Sequence, residues 1–324
     1  MKSFKKVLTL TLCLCMLALL GCAGQNAQNP TTAPTTEATQ PKEEGPLTDG
    51  KTLKLLAVTS SFGLNTTQFL YDAAIAEGYT DVVVGRLYAS GCTLQKHVDC
   101  ALNNTNFYEY TKNNSGIWST KKNVPLALAL QDENWDIIFV QQSADRAPEA
   151  PTYVAADGTD YVATLMEYLR TNATNPNAKF IWNMCWAFQS DIVRDTFEKY
   201  GNNQIVMYNA LLDTLKEKIL TKNHFDAIIP TGTAVQNLRT SHIGDNLTRD
   251  GLHLNYTGKV LAAYTMLSVL KGEPITEMHL TTTSPDPDSV VIELTENDKL
   301  AILEAANNAI ANPYEITQST YTEK

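Results

Sequence analysis

Cysteine, positive charge and long apolar runs are all scarce in this chain. It has 6 cysteines in 324 residues and no Cys-x-x-Cys pair, so the sequence predicts no zinc site. Beyond residue 22 only Cys92, Cys100 and Cys185 remain, which allows at most one disulfide, with Cys92 and Cys100 as the candidate pair. Lysine and arginine number 25 against 35 acidic residues, for a formal net charge of −10. So acidic a surface argues against nucleic acid or anionic lipid headgroups as partners.

The one long apolar run, Val7–Leu20, follows three lysines within the first six residues. It is too short to span a bilayer comfortably and is typical of a secretory signal peptide. The run ends in Leu-Leu-Gly-Cys at residues 19–22, which resembles the lipobox of bacterial lipoproteins. The resemblance implies a signal peptide over 1–21, cleavage before Cys22 and lipids on that cysteine. The alternative is an ordinary secretory peptide with an incidental cysteine.

Residues 25–50 are rich in threonine, proline, alanine, glutamine and glutamate and have almost no large apolar side chains. Such a segment cannot bury enough surface to fold, so residues 22–51 are predicted to be a disordered tether. A single folded domain is predicted over 52–315, followed by a short tail at 316–324. With the lipid on Cys22 as its only membrane contact, the domain is expected at the cell surface, on the outer face of the bacterial membrane.

Five short apolar runs have the length and β-branched content of buried strands. They are Leu53–Val58, Asp81–Leu87, Asp136–Gln141, Lys179–Met184 and Asp226–Pro230. Segments with helical spacing lie between and after them, at Thr66–Glu77, Thr93–Leu102, Tyr161–Asn172, Asn203–Leu220, Tyr256–Leu270 and Glu296–Asn312. This alternation predicts an α/β fold, a three-layer α/β/α sandwich around a five-stranded parallel sheet. Phe107–Val124 is predicted to be an inserted β-hairpin, and the last helix is expected to pack on the outside of the domain.

Small and polar residues follow the predicted strands at their carboxyl ends, where parallel sheets bind their ligands. These residues are Ser60-Ser61 after the first strand, Gly91 after the second and Gln141-Gln142 after the third. Far along the chain, Asp250 and His253 stand three residues apart just before a predicted helix. Serine, histidine and aspartate are the parts of a Ser-His-Asp hydrolase. The sequence therefore predicts such a site if the fold brings the three together.

The order of several short motifs resembles that of the SGNH (GDSL-type) hydrolases, and more narrowly a branch of secreted bacterial proteins known only as a domain of unknown function. That branch carries Gly-Asn-Ser-Phe, a Gly-Cys-x-Leu turn, a Gln-Gln block, a Trp-Ala-aromatic-Gln turn, Pro-Thr-Gly-Thr-Ala and Arg-Asp-Gly-x-His-Leu. The matching segments here are TSSF, SGCTL, WDIIFVQQS, WNMCWAFQ, IPTGTA and TRDGLHL, within residues 53–270. The resemblance implies a flavodoxin-like, SGNH-hydrolase fold.

By the same resemblance, Ser61 matches the nucleophile, His253 the base and Asp250 the carboxylate that orients the imidazole. One departure stands beside the serine, where the family has Gly-Asn or Gly-Asp and this chain has Thr59-Ser60. Three interpretations of this departure remain open. One is that other residues brace the loop, the second is that Ser60 replaces Ser61 as the nucleophile, and the third is that the protein is a degenerate enzyme.

An oxyanion that develops during acyl transfer needs preorganised hydrogen-bond donors. The resemblance offers the backbone N–H groups of Ser61 and Gly91, together with a side-chain amide from Gln141 or Gln142. Gln141 is preferred because it directly follows the strand.

Other residues near the strand ends have roles that the sequence leaves open. Trp186 provides a flat ring face on which a sugar ring of the substrate can stack, whereas the alternation of side chains along the strand places Trp182 in the core. His97 faces either the sheet or the site, and we expect it beside the substrate. His242, with Asp245 three residues later, is the rival acid and histidine pair.

These residues predict a surface-tethered serine esterase that removes small acyl groups, chiefly acetyl, from carbohydrate or another small ester. The reaction proceeds by acyl transfer to Ser61 and hydrolysis by water activated at His253, without metal or organic cofactor. Carbohydrate is favoured by analogy with related sugar O-acetylesterases that carry a glutamine in the third block. The alternatives are a non-catalytic glycan-binding lipoprotein on a degenerate fold and a transporter's solute-binding lipoprotein. The second is disfavoured because such proteins need two α/β lobes.

Overall fold

The computed structural model describes residues 45–323, so the predicted signal peptide, the lipidation site Cys22 and most of the predicted tether lie outside the described residues. Between residues 45 and 323, every helix is too short or too polar to span a membrane. The backbone N–H groups of Leu47 and Thr48 donate to the carbonyl of Leu270 at 2.9 and 3.2 Å. The end of the predicted tether therefore packs on the domain, which begins before residue 52.

A mixed sheet of seven strands, in the order β4-β3-β2-β1-β5-β6-β7, forms the centre of the domain. The strands are β1 (Thr52–Thr59), β2 (Asp81–Tyr88), β3 (Tyr108–Asn113), β4 (Trp118–Val124), β5 (Ile137–Val140), β6 (Lys179–Asn183) and β7 (Ala227–Ile229). Five of them pair in parallel, whereas β3 and β4 pair antiparallel along the edge of β2. The predicted five-stranded parallel sheet was therefore wrong in strand number. The hairpin joins the sheet because it satisfies backbone groups that β2 would otherwise expose at an edge.

The parallel strands are mostly apolar because helices cover both faces of the sheet. All four residues of β5, Ile-Ile-Phe-Val, are buried, as are five consecutive residues of β1 from Leu55 to Thr59. The solvent-facing strand β4, by contrast, reads Trp-Ser-Thr-Lys-Lys-Asn-Val and is mostly exposed. Burial on two faces thus explains why the five core strands were recognisable in the sequence.

Two layers of helix enclose the sheet. The helices are α1 (Ser61–Thr67), α2 (Leu70–Ala76), α3 (Leu94–Leu102), α4 (Leu126–Gln131), α5 (Tyr161–Asn172), α6 (Asp195–Glu198), α7 (Gln204–Leu215), α8 (Thr231–Leu238), α9 (Tyr256–Lys271) and α10 (Glu296–Ala311). Helices α1, α2, α8 and α10 pack around α9 on one side, and α3, α4 and α5 contact one another on the other. The sequence predicted one helix over Thr66–Glu77, but the chain forms two, and the first begins at Ser61. Helix α10 buries Ala301, Ile302 and Ala305 against its neighbours.

The predicted tail at 316–324 packs on the domain as far as it is described. The N–H of Thr317 donates to Asn237 Oδ1 at 2.8 Å, and the carbonyl of Tyr321 accepts from the N–H of His242 at 2.8 Å. The last described residues therefore form part of the folded unit.

The three cysteines of the described residues are all free and buried. The thiols of Cys92 and Cys100 both lie near the hydroxyl of Tyr108, and they are not bonded to each other. The candidate disulfide between Cys92 and Cys100 is therefore not formed in the structure.

Candidate active site

The structure brings together the serine, histidine and aspartate that the sequence singled out. Ser61 Oγ lies 2.9 Å from His253 Nε2, and His253 Nδ1 lies 2.8 Å from Asp250 Oδ2. Ser61 is the first residue of α1, directly after β1, while Asp250 and His253 lie on the turn before α9. The imidazole contacts the hydroxyl of Ser61 and not that of Ser60. Residues 192 positions apart in the chain thus form one continuous line of hydrogen bonds.

Asp250 shapes its own turn as well as holding the imidazole. Its Oδ1 accepts from the N–H groups of Leu252 and His253 at 3.0 and 2.7 Å, while Oδ2 faces the ring. Burial alone would raise the pKa of Asp250, but the hydrogen bonds from the backbone and ring of His253 outweigh it and lower the pKa. The Asp-x-x-His spacing therefore provides both the turn and an ionised partner for the imidazole.

Gly251 allows this turn to pack against the neighbouring loop. Its φ of +81° is in the left-handed region that favours glycine, and a Cβ there would lie 2.8 Å from Ile192. The N–H of Gln189 donates to the carbonyl of Gly251 at 2.8 Å, and the N–H of Arg249 donates to that of His253 at 2.9 Å. The loop after β6 and the turn before α9 are consequently locked together.

Two stacked aromatic rings brace the imidazole from behind. Phe62 and Trp186 lie 3.8 Å apart between ring centroids and almost parallel, and the ring of His253 meets Phe62 edge-on at 6.1 Å. Trp186 Nε1 donates to the carbonyl of Leu252 at 2.9 Å. Because the side chain of Trp186 is fully buried, the predicted stacking floor for a sugar was wrong. Trp182 is buried in the core, as predicted from alternation.

Asn65 is a site-forming residue that sequence reasoning missed. Its Oδ1 accepts from the N–H of Leu254 at 2.9 Å, which joins α1 to the residue after His253. Asn65 stands four positions after Ser61, so both point from the same face of α1. A buried amide one helical turn from the candidate nucleophile was the signal that could have identified it.

Both glutamines after β5 are turned away from the serine. Gln141 accepts from Thr59 Oγ1 at 3.3 Å and donates to Cys185 Sγ at 3.1 Å. Gln142 accepts from the N–H groups of Leu94 and Ser143 at 3.0 and 2.9 Å. Both side chains are fully buried, so the predicted oxyanion contribution of Gln141 or Gln142 was wrong. The two amides hold adjacent strand exits in place instead.

An open cleft of about 530 Å³ lies over Ser61 and His253. It is also lined by Gly91 and Thr93 from the β2 exit, by residues 143–146 from the β5 exit, and by Arg194, Thr196 and Lys199 after β6. Gly91 is exposed there, and no backbone acceptor for its N–H exists within residues 45–323. Ser61 is the first helical residue, so its N–H has no acceptor within α1. Both predicted backbone donors therefore border the same cleft.

Charged side chains on two loops form one wall of the cleft. Arg194 Nε and Nη2 donate to the two carboxylate oxygens of Asp145 at 3.0 and 2.6 Å. Arg146 lies 2.8 Å from Glu149, which also pairs with Lys199. Burial would raise the pKa of Asp145, but the hydrogen bonds from Arg194 outweigh it and lower the pKa. No motif in the sequence indicated this wall, because its members come from loops with no fixed spacing.

His97 does not reach the cleft. The ring is fully buried, and its Nδ1 lies 2.9 Å from the hydroxyl of Tyr108 on β3. Desolvation by burial lowers the pKa of His97 to about 3, so the ring is neutral at physiological pH. The prediction that His97 contacts substrate was therefore wrong, because α3 turns this face toward the hairpin.

The rival acid and histidine do not pair. His242 Nε2 contacts Asp298 at 2.8 Å, at the start of α10, while Asp245 binds Arg239 Nε at 2.7 Å and accepts from the N–H of Ser190 at 2.8 Å. Among residues 45–323, no three or more histidine, cysteine, aspartate or glutamate side chains are grouped to hold a metal ion.

Comparison with known proteins relates the chain to a family without an assigned activity. The model of a domain of unknown function, DUF4886, matches residues 54–305. A crystal structure of a DUF4886 family protein from Bacteroides uniformis ATCC 8492 is 30% identical, with a TM-score of 0.74, over 84% of this chain and 100% of that one.

Two other solved structures are more distant. A candidate SGNH hydrolase from Slackia heliotrinireducens is 16% identical, with a TM-score of 0.41, over 68% of this chain and 100% of that one. A candidate GDSL-like lipase from Parabacteroides merdae ATCC 43184 is 11% identical, with a TM-score of 0.42, over 68% and 97% of the two chains. No curated protein matches this sequence.

Proposed function

The chain belongs to the DUF4886 family, and from its site we propose that it is a serine hydrolase of carboxylic esters. The observation that carries the proposal is the unbroken line of hydrogen bonds from Ser61 through His253 to Asp250. A serine hydroxyl is a poor nucleophile until a neutral imidazole can take its proton. The arrangement at the carboxyl end of β1 supplies that imidazole and orients it.

The protonation state of the site follows from Asp250. A carboxylate only accepts hydrogen bonds, so His253 Nδ1 carries the ring proton and Nε2 is left as an acceptor for the hydroxyl of Ser61. As Ser61 Oγ attacks the ester carbonyl, its proton passes to Nε2, and Asp250 stabilises the imidazolium. The same proton then goes to the leaving alcohol, and water attacks the acyl-serine with His253 as base.

In this mechanism the oxyanion of each tetrahedral intermediate is held by the backbone N–H groups of Ser61 and Gly91. The side-chain amides of Gln141 and Gln142 take no part in this mechanism, because neither of them borders the cleft. Removal of one preorganised donor from an oxyanion hole typically raises the barrier by about 3–4 kcal/mol. The reaction uses only these groups and water.

Serine, threonine and charged side chains dominate the cleft lining, with Leu252 as its one large apolar side chain among the described residues. A cleft with so few large apolar side chains suits a small acyl group on a polar alcohol better than a long lipid chain. This supports acetylated or otherwise acylated carbohydrate as the substrate class. We further propose that Cys22 anchors the domain by lipid to the outer face of the membrane, since the lipobox-like sequence precedes a Thr/Pro/Glu-rich segment.

The proposal is tested with a fluorophosphonate probe and nitrophenyl acetate on the purified mature protein. The probe should label Ser61, and Ser61→Ala should lose labelling and about 10⁴-fold or more of the turnover. The matched variant Ser60→Ala should keep both, because the hydroxyl that contacts the imidazole is that of Ser61. Equal turnover in wild type and Ser61→Ala would contradict the assignment, whereas absence of both turnover and labelling in the wild type would favour a glycan-binding role without catalysis.

A further inference from the structure

The cleft over Ser61 has basic walls in an acidic protein. The chain has a formal net charge of −10, yet Arg146, Arg194 and Lys199 all line this one cleft. Within the described residues, no phenylalanine, tyrosine or tryptophan lines it. Stacking on a ring face, a common means of holding sugars, is therefore not provided by the cleft lining. Recognition must depend on hydrogen bonds and charge.

The positive charge of this wall is concentrated on two side chains. Arg146 and Lys199 pair with one carboxylate, Glu149, so this cluster has an excess of one positive charge. Arg194 does not add to the excess, because Asp145 holds it at both carboxylate oxygens and Asp195 and Asp250 also lie near its guanidinium.

Arg146 and Lys199 share the single carboxylate of Glu149, which itself does not line the cleft. Their side chains are 49% and 51% exposed, whereas that of Glu149 is 17% exposed. Glu149 thus pairs with two half-exposed cations whose side chains both line the cleft. A guanidinium beside an ammonium is a suitable receptor for one carboxylate.

We propose that the substrate ester carries a carboxylate, which Arg146 and Lys199 bind while Ser61 attacks the ester carbonyl. The inference rests on the proposed ester hydrolysis and adds the charge of the substrate to it. The carboxylate can belong to the alcohol, as in an acetylated uronic acid, or to the acyl group, as in a hemisuccinate. Both present the same chemistry to the two cations.

The first test compares kcat/KM on matched anionic and neutral esters. One arm uses O-acetylated galacturonic acid and its methyl ester, and the other uses nitrophenyl hemisuccinate and nitrophenyl butyrate. We expect the wild type to prefer the anionic member of at least one pair, and the arm that shows the preference identifies which part of the substrate carries the charge. Lys199→Met and Arg146→Met should each reduce that preference about fivefold, chiefly through KM, as expected for an exposed ion pair. High salt should reduce it as well.

The matched control is Lys122→Met, which removes an exposed lysine that pairs with Glu109 at 3.6 Å on the outer strand β4. It should leave the preference unchanged. Equal kcat/KM for anionic and neutral esters in both arms, with nitrophenyl acetate still hydrolysed, overturns the inference and leaves the proposed function standing.

A second readout does not depend on turnover. Calorimetry on the Ser61→Ala protein should detect binding of trigalacturonate but not of its methyl ester, and the added Lys199→Met change should weaken that binding about fivefold. Absence of trigalacturonate binding together with absence of any preference in the kinetic arms would overturn the proposal. If nitrophenyl acetate is not hydrolysed but trigalacturonate binds through Lys199, the esterase proposal fails and the anion-binding site remains.

Discussion

Thr59 stands at the position where the family that this chain resembles has glycine. Because Gly63 has no side chain, the side chain of Thr59 fits beside it. A Cβ at Gly63 would lie 1.8 Å from Thr59 Oγ1, far inside contact distance. The hydroxyl of Thr59 donates to Gln141 at 3.3 Å, a bond that ties β1 to β5 directly beside Ser61. The departure from the family motif is thus accommodated by the loop and does not displace the candidate nucleophile.

This pairing predicts a compensating double substitution. Gly63→Ala should lower the free energy of unfolding by about 1–3 kcal/mol, because the new methyl group overlaps Thr59. Thr59→Gly in the same protein should recover most of that loss, since the obstructing side chain is gone. Urea unfolding of both single variants and the double variant measures the coupling. Additive effects of the two changes would show that the side chains do not compete for the same space.

At the scale of elements, the site depends on two loops that hold each other. The turn from Thr248 to Leu254 is closed by its own backbone and is fastened to the loop after β6 at Gln189 and Trp186. The Asp-x-x-His spacing predicted which residues meet, because three positions are enough to form one turn. It did not predict the tryptophan behind them, because the indole reaches the turn from 66 positions away.

Trp186→Phe should keep the ring stack but remove the indole N–H bond to Leu252. We expect kcat to fall about tenfold, since the imidazole is positioned through this turn, and the free energy of unfolding to fall by about 1–2 kcal/mol for the lost buried bond. Trp135→Phe is the matched control, because Trp135 Nε1 donates to the carbonyl of Ala129 at 2.8 Å away from the cleft. The control should lose similar stability and no activity. Equal losses of activity in both variants would refute a positioning role for Trp186.

At the scale of the molecule, the hairpin β3–β4 extends the sheet and closes the core over α3. Its Tyr108 and the imidazole of His97 are buried together, with the rings stacked 5.6 Å apart. Because the folded state holds His97 neutral down to a pKa of about 3, it takes up a proton later than the unfolded chain does as pH falls. The burial of His97 against the docked hairpin therefore makes the free energy of unfolding depend on pH.

The direction of this pH dependence follows from the number of protons that the folded and unfolded states bind at His97. Between the ordinary histidine pKa of about 6.5 and the folded pKa of about 3, the unfolded state binds one more proton at this residue, so stability falls as pH falls. The slope from His97 approaches about 1.4 kcal/mol per pH unit within that range. Urea unfolding of wild type and His97→Gln should show that the difference between their free energies of unfolding decreases as pH falls from 7 to 4.

The pKa of His279 is shifted in the direction opposite to that of His97. Its ring lies 2.9 Å from Glu77, and the hydrogen bond that it donates to this carboxylate raises the pKa of His279. Its contribution is therefore complete below the unfolded histidine pKa and is lost as pH rises through the folded pKa. His279→Gln should change the pH profile in the direction opposite to His97→Gln. Parallel profiles for wild type and His97→Gln would show that the buried imidazole is not the group responsible.

The sequence by itself determined the five parallel strands, most of the helices and the residues of the Ser61, His253 and Asp250 line. These depend on local signals, namely apolar runs buried on two faces and an acid and histidine spaced for one turn. Only the tertiary structure decided that the hairpin joins the sheet, that Gln141 and Trp186 point inward, and that basic side chains from two loops share the cleft. Those features depend on distances between segments far apart in the chain, which no local periodicity encodes.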